Sequence, residues 1–187
     1  MNHSLLRVTA THLASFTLLV YFWGTRIASG QGLVEFENLA PIYDVDGRTL
    51  LVGSGFLAEL YAAAPGNSLQ PISSSITPLL TVSPGYFFGG IVHIPGTIPG
   101  GTAVVQVVTW RASDGATFAE ADHPGAHVGG SSVFQVGSLG GDQLGVPALL
   151  VGMQSFSLYV VPEPAVLTLD LLAVVGIAFN CWLNRRV

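Results

Sequence analysis

Val104-Val105-Gln106-Val107-Val108-Thr109-Trp110 is the stretch of this chain that decides the fold class. All but one of its residues are β-branched or aromatic, which is the composition of a strand rather than a helix. Because side chains alternate along a strand, Gln106 and Trp110 share one face, and the odd-numbered residues share the other. The sequence therefore predicts a strand over residues 102–110.

The rest of the central region follows the same pattern. Strands are predicted at 33–36, 55–62, 86–94, 132–136 and 148–160, each bounded by Gly, Pro or Ser. No segment between residues 31 and 160 has the period of a helix. We therefore predict an all-β chain, a single antiparallel β-sandwich over residues 31–160, for which jelly-roll and immunoglobulin-like wirings both fit.

The charge of this region argues against negatively charged partners. Residues 31–160 contain two arginines against nine acids, a net charge of about −7, and the whole chain contains no lysine. Nucleic acids and anionic lipid headgroups are bound through basic patches, so we expect neither as a partner.

The single cysteine, Cys181, lies outside the region, which therefore depends on its core without a disulfide. No cofactor motif is present, and we expect no cofactor.

Residues 1–30 have the composition of a signal peptide that forms a helix before cleavage. Arg7 gives a basic start, an apolar run covers 13–23, and Ala28-Ser29-Gly30 supplies small residues for a cleavage site. Cleavage after Gly30 leaves Gln31 first, and cleavage after Ala28 fits nearly as well. An uncleaved anchor helix is the alternative.

Three elements follow one another in residues 161–187. Pro162-Glu163-Pro164 is a rigid, extended spacer, because each proline fixes its own φ and restricts its predecessor. Residues 165–183 are predominantly apolar, with Asp170 and Asn180 as polar exceptions, and are long enough, as a transmembrane helix, for a hydrocarbon core of about 30 Å. The basic end at 184–187, with Arg185 and Arg186, places the C-terminus in the cytoplasm and the bulk of the chain outside.

This order of Pro162-Glu163-Pro164, apolar segment and Arg185-Arg186 resembles the PEP-CTERM protein-sorting domain of Gram-negative bacteria. The resemblance implies that the protein is exported, held by its tail in the inner membrane, and recognised by an exosortase, a membrane cysteine transpeptidase. It also implies a link with exopolysaccharide and biofilm production. Short stretches between residues 45 and 158, such as Gly53-Ser54-Gly55-Phe56, are similar to small PEP-CTERM cargo domains, which implies an extracellular β-rich module with no assigned activity.

Two short segments carry potential metal ligands. Asp44-Val45-Asp46-Gly47 begins like a calcium loop, but residue 53, where an EF-hand has its glutamate, is glycine. A looser calcium site with Asp44 and Asp46 is one interpretation, and a solvated turn capped by aspartate is the other. Residues 122–127 contain one aspartate and two histidines in a loop, which is either a metal site completed from elsewhere or a polar loop.

A glycan-binding surface is the candidate binding site. Sugars stack on exposed aromatic rings beside amide or carboxylate groups, and Trp110 shares a strand face with Gln106. Tyr86, Phe87 and Phe88 cannot all point inward from one strand, so we expect Phe87 to be exposed or under a loop. The alternative for Trp110 is core packing.

No motif of a nucleophilic, metal-dependent or phosphate-binding enzyme is present, and no catalytic residue is assigned. We therefore expect a non-enzymatic surface or matrix protein with exopolysaccharide as a glycan partner. The alternative is a carbohydrate-active hydrolase, which needs a pair of carboxylates across a cleft. The acids available for such a pair are Glu35, Glu37, Glu59, Glu120 and Asp122.

Overall fold

The computed structural model describes residues 30–141 and 145–163, and these residues form an all-β fold with one short helix. The strands are β1 (Gly32–Glu37), β2 (Ile42–Tyr43), β3 (Phe56–Ala63), β4 (Gln70–Pro78), β5 (Phe88–Ile94), β6 (Ala103–Arg111), β7 (His127–Gly130), β8 (Phe134–Val136), β9 (Ala148–Leu149), β10 (Phe156–Ser157) and β11 (Tyr159–Val160). The helix α1 is Phe118–Ala121, and a 3-10 turn covers Gly53–Gly55. The all-β prediction is confirmed.

Both predicted terminal helices fall outside these residues. The signal peptide, apart from Gly30, and the apolar run at 165–183 are not among the described ranges, and neither are Pro164, Arg185 and Arg186. Within 30–141 and 145–163, no helix combines the length and the apolar character needed to cross a membrane. The described residues from Gln31 to Glu163 belong to one unit of the chain.

The described residues form three sheets. The largest has the order β11-β7-β6-β3-β4, with β8 also paired to β6. A three-stranded sheet has the order β5-β1-β9, and β10 pairs with β2. β6 is central to the large sheet: β3 lies along its whole length, while β8 and β7 pair with its beginning and its end on the other side.

The prediction of purely antiparallel pairing is wrong at two places. β9 runs parallel to β1, and β10 runs parallel to β2. Both belong to the segment 148–160, which was predicted as one strand. A turn at Val151–Gly152, where Gly152 has φ 109°, breaks this segment. Its three pieces then join three different sheets, so each piece is only two residues long.

The main core unites the two larger sheets. Val34 and Phe36 of β1 pack in one cluster with Leu60 of β3 and Val105 and Val107 of β6, and all five are fully buried. Burying a side chain of this size contributes about 1.5–3 kcal/mol. The alternation predicted for residues 104–110 is therefore confirmed, with the odd-numbered residues facing this core.

The other face of β6 is also covered, which the sequence did not predict. Residues 112–126, here called the strap, leave the end of β6 and fold back over the sheet. Trp110 is fully buried in a second cluster with Val108, Ala121 and Val128. Its indole Nε1 donates a hydrogen bond of 2.8 Å to the carbonyl of Gly115 in the strap.

Helix α1 gives the strap its shape. Thr117 is its N-cap, and the hydroxyl accepts a hydrogen bond from the Glu120 amide at 3.3 Å. A carboxylate oxygen of Glu120 accepts one from the Ala116 amide at 2.9 Å. A four-residue helix has too few apolar positions to show a period, so the sequence pattern predicted no helix here.

Strand β4 was missed for a related reason. It contains Pro71, Pro78 and three consecutive serines, which favour a loop in sequence, but it is an edge strand, where proline is tolerated. Between Thr77 and Ile72, a bulge of β4 interrupts its pairing with β3. There the Ser75 hydroxyl accepts a hydrogen bond from the Leu60 amide at 2.8 Å and donates one to the Ile72 carbonyl at 2.6 Å. The side chain thus replaces a missing backbone pairing.

Candidate functional site

The candidate site is built around the tight loop between β2 and Leu50. The Asp44 amide donates to the Thr49 carbonyl at 2.7 Å, and the Gly47 amide donates to the Asp44 carbonyl at 2.9 Å. Gly47 has φ 66°, a conformation that glycine adopts without strain. The Asp-Val-Asp-Gly sequence therefore forms a tight, hydrogen-bonded turn.

Asp46 caps this turn. Its carboxylate accepts hydrogen bonds from the Thr49 hydroxyl at 2.6 Å, the Thr49 amide at 2.8 Å and the Arg48 amide at 2.9 Å. These bonds, that of the Thr49 hydroxyl first, lower the pKa of Asp46 from its ordinary 3.8 to about 2. Of the two interpretations, the capped turn is the one observed. A calcium ion at Asp46 would compete with these three hydrogen bonds for the carboxylate oxygens.

A shallow cavity of about 390 Å³ opens beside this turn. It forms where the turn meets the end of β6, the start of β7 and the last strand, β11. Its lining residues are Asp44, Val45, Asp46, Arg111, His127 and Val160. The cavity therefore combines acidic, basic and apolar side chains from four segments.

Arg111 forms one wall of the cavity. Its guanidinium Nη2 lies 3.9 Å from the Oδ1 atom of Asp44, and its Cζ atom lies 5.9 Å from the ring centroid of Phe56. Phe56 is also its backbone partner in β3. The aromatic ring and the strand pairing hold the arginine, while its side chain keeps 37% of its surface exposed.

His127 forms another wall and is fixed by the strap. Its amide donates to Asp114 Oδ2 at 2.7 Å, and its ring Nδ1 lies 3.5 Å from the same oxygen. Partial burial opposes ionisation of Asp114, but the hydrogen bonds from the His127 amide and the Ser113 hydroxyl outweigh it and lower the Asp114 pKa. Asp114 is therefore ionised, and it orients His127.

The potential metal ligands of residues 122–127 are Asp122 and His123 at the end of the strap and His127 at the start of β7. His123 is exposed; its Nε2 lies 3.1 Å from the Asp114 carbonyl and its Nδ1 3.1 Å from the Pro124 carbonyl. Across residues 30–141 and 145–163, no three His, Cys, Asp or Glu side chains come together to hold a metal. The polar-loop interpretation of 122–127 agrees with these contacts.

The three residues predicted for a glycan surface are buried or partly buried, and core packing, the alternative interpretation of Trp110, is the arrangement observed. Trp110 is fully buried under the strap, and Phe87 is 2% exposed, with its ring centroid 4.5 Å from that of Phe36. The exposed aromatic of the 86–88 cluster is Phe88, at 53%. Gln106 is partly buried, and its side-chain amide donates to the Ser131 carbonyl at 2.9 Å. None of the three predicted residues offers a free stacking surface.

Glu59 is an unexpected feature of the face under the strap. It alternates with the core-facing Ala58 and Leu60 of β3, and it is 1% exposed. Neither carboxylate oxygen has a hydrogen-bond partner within the described part of the chain. Burial raises the pKa of Glu59, and the nearby amide of Phe118 and hydroxyl of Ser73 offset only part of that effect.

The acids considered for a catalytic pair belong to β1, β3 and the strap. Glu35 and Glu37 lie in β1, in the three-stranded sheet, whereas Glu59 lies in the large sheet. Glu120 accepts a hydrogen bond within the strap. Asp122 ends α1 and, with Glu59, contributes to raising the pKa of Tyr61, after the larger effect of burial.

A second cavity, of about 480 Å³, lies beside β8 and β9. The described residues that line it carry no charge; they are Gln135, Val136, Gly137, Ser138, Ala148, Leu149 and Val151. The cavity at Asp44 and Arg111 is chemically the richer of the two. Sequence reasoning missed Arg111, although it is one of two bases in an acidic region and directly follows the strongest strand pattern, and it named His127 only as a potential metal ligand.

Comparison with known proteins gave no match: no family model, curated protein or solved structure is similar to this chain. The resemblance of the tail to the PEP-CTERM sorting domain therefore stays a prediction that depends on the sequence of residues 162–187.

Proposed function

We propose that this protein is an exported β-sandwich that serves, without catalysis, as a component of the cell surface or extracellular matrix. Its tail holds it in the inner membrane of a Gram-negative bacterium until an exosortase-type enzyme processes it. The main core, shared by the two larger sheets, supports the sandwich architecture. The acidic, lysine-free composition is compatible with a soluble extracytoplasmic domain.

One observation carries the delivery proposal: the exposure of the first two residues of the motif. The Val161 amide donates to the Ala126 carbonyl at 2.9 Å, and the Gly125 amide donates to the Val161 carbonyl at 2.9 Å. The next two residues, Pro162 and Glu163, are exposed. Pro162 and Glu163 thus follow directly on a residue that is hydrogen-bonded to the strap, and their exposure leaves the start of the motif accessible to a processing enzyme.

The alternative, a carbohydrate-active hydrolase, has less support. Glu59 has the raised pKa expected of a general acid, but it is 1% exposed and lies beneath the strap. A purified sample incubated with exopolysaccharide from the native host separates the two functions. New reducing ends would favour the hydrolase, and their absence alongside saturable binding would favour the non-enzymatic role.

Mass-spectrometric mapping of both termini of the protein from its native host tests the delivery proposal. We expect a mature chain that begins near Gln31 and ends near Pro164. In a double variant, Pro162→Ala with Pro164→Ala, we expect the tail peptides to persist, because the rigid spacer is lost.

The matched control is Pro124→Ala, which changes an exposed proline of the strap and leaves the tail intact. It should be processed like the unaltered protein. Peptides that extend through Arg185 in the unaltered protein would show a permanent anchor and would contradict processing.

A further inference from the structure

We infer that the cavity between Asp44 and Arg111 binds an uncharged, hydroxyl-rich ligand, with a sugar ring as the fitting chemical class. The inference depends on the geometry of the cavity. Only the biological source of the sugar, the surrounding exopolysaccharide, rests on the proposed function.

The first argument is the spacing of donor and acceptor. A guanidinium only donates hydrogen bonds and an ionised carboxylate only accepts them. At 3.9 Å, Arg111 Nη2 and Asp44 Oδ1 are too far apart for a hydrogen bond with each other. A hydroxyl both donates and accepts through one oxygen, so it is the neutral group that satisfies both side chains at once.

The second argument is that both groups are already held in place. Asp44 is fixed by its backbone bond to Thr49, and its Oδ1 accepts the Val45 amide at 2.8 Å. Arg111 is held by Phe56 and by the pairing of β6 with β3. A ligand therefore orders few additional side chains, which lowers the entropic cost of binding.

The third argument is charge. An anion at Arg111 would meet the carboxylates of Asp44 and Asp46 in the same cavity, and a metal ion at those carboxylates would meet the guanidinium. Like charges at such distances are unfavourable, so the mixed lining disfavours both kinds of ion. An uncharged polar ligand avoids both conflicts.

The fourth argument is shape. Val45 and Val160 add apolar surface to the polar lining, and both are about 45% exposed. A sugar ring has a hydroxyl-bearing edge and C–H faces, and ligand sites generally combine apolar surface with a few placed polar groups. The lining of this cavity matches that combination.

Saturation-transfer NMR on the full-length protein, in a detergent without sugar headgroups, tests the inference. The probes are glucose, galactose and mannose, with glucuronate as the charged comparison. We expect saturable binding of at least one neutral sugar with a millimolar Kd. In Arg111→Gln, we expect affinity to fall by about tenfold or more, because a hydrogen bond to a charged group is lost.

Arg48→Gln is the matched control, since Arg48 is the other base of the region and its side chain does not line the cavity. It should leave affinity unchanged. If Arg111→Gln lowers the thermal midpoint, Asp44→Asn supplies a second test of the same pair, with a similar expected loss.

Three results would overturn the inference: no saturable binding of any neutral sugar, an equal loss in Arg48→Gln, or binding of glucuronate alone that weakens with salt. None of these three binding results depends on whether mass spectrometry finds the tail processed. A chain processed near Pro164 that binds no sugar would retain the delivery proposal and reject this site.

Discussion

Asp46 and Glu59 carry the same chemical group in opposite surroundings. Asp46 is on an exposed turn, where three hydrogen bonds hold its ionised carboxylate. Glu59 is buried beneath the strap and has no hydrogen-bond partner among the described residues. The pKa of Asp46 is therefore lowered, whereas burial raises that of Glu59. Hydrogen bonding and desolvation thus act on one group in opposite directions.

This difference also gives the two acids opposite effects on stability. A lowered folded-state pKa stabilises the protein above the ordinary pKa of the group, and the contribution disappears as pH falls through the folded value. A raised folded-state pKa has its full stabilising contribution below the ordinary value, and that contribution disappears as pH rises. Asp46 therefore favours folding at neutral pH, and Glu59 opposes it.

The largest expected effect comes from the core that Trp110 forms under the strap, on the face of the large sheet that also carries Glu59. Trp110→Ala leaves a cavity under the strap and removes the hydrogen bond to Gly115. We expect the free energy of unfolding to fall by about 3–5 kcal/mol, the usual range for a buried aromatic replaced by alanine. Urea denaturation followed by circular dichroism measures the change.

Trp110→Phe serves as the control, because it retains most of the apolar surface without the indole N–H. It should destabilise less than Trp110→Ala. In Trp110→Ala, water that enters beneath the loosened strap should bring the Glu59 pKa closer to its ordinary 4.5. A Trp110→Ala variant as stable as the unaltered protein would contradict the buried position of this side chain.

An intermediate effect of opposite sign is expected for Glu59→Gln. Glutamine has nearly the same shape and carries no charge, so the variant avoids burying an ionised carboxylate above the Glu59 pKa. We expect the free energy of unfolding at neutral pH to rise by about 1 kcal/mol. The unaltered protein should lose stability as pH rises through the folded Glu59 pKa, and this slope should be absent from the variant.

Thermal midpoints measured across a pH series test this prediction. Glu37→Gln, a partly exposed position of β1, is the control and should keep the slope. An unchanged pH profile in Glu59→Gln would mean that Glu59 does not carry the raised pKa.

The smallest effect is expected for Asp46→Asn. Asparagine preserves the shape of the cap but loses the charge that strengthens its hydrogen bonds. We expect a lower thermal midpoint at neutral pH, because the folded-state pKa of about 2 lies below the ordinary 3.8. The difference should shrink as pH falls below 3.8 and vanish near pH 2.

Asp122→Asn, at an exposed position at the end of α1, is the reference for a general loss of negative charge. A difference between Asp46→Asn and the unaltered protein that persists at pH 2 would contradict the titration of Asp46 as its cause.

Local patterns explain which strands the sequence predicted. Residues 102–110 are unambiguous because their composition and their alternation agree, and β6 has the expected faces. β4 was missed because its prolines and serines are turn residues, and only its position at the edge of the sheet makes a strand acceptable there. The segment 148–160 was joined into one strand because apolar composition does not show where a chain changes sheets.

The candidate site was predicted only in part, because some of its residues are neighbours in sequence and others are distant. Asp44 and Asp46 were identified from their turn sequence, and both line the cavity. Arg111 and His127 come from the ends of distant strands, and no local spacing connects them with the turn. Trp110 was assigned to the correct face, but alternation does not reveal that the strap covers that face.

The all-β class, the alternation of β6, the acidic charge and a turn at Asp-Val-Asp-Gly could be predicted from the sequence, because each depends on neighbours along the chain. Tertiary structure alone decided that Trp110 and Glu59 are buried and that Arg111 faces Asp44. Burial and pKa depend on what lies across space from a residue. Here the strap, the β4 bulge and β11 supply those neighbours, and the alternation along a strand predicts none of them.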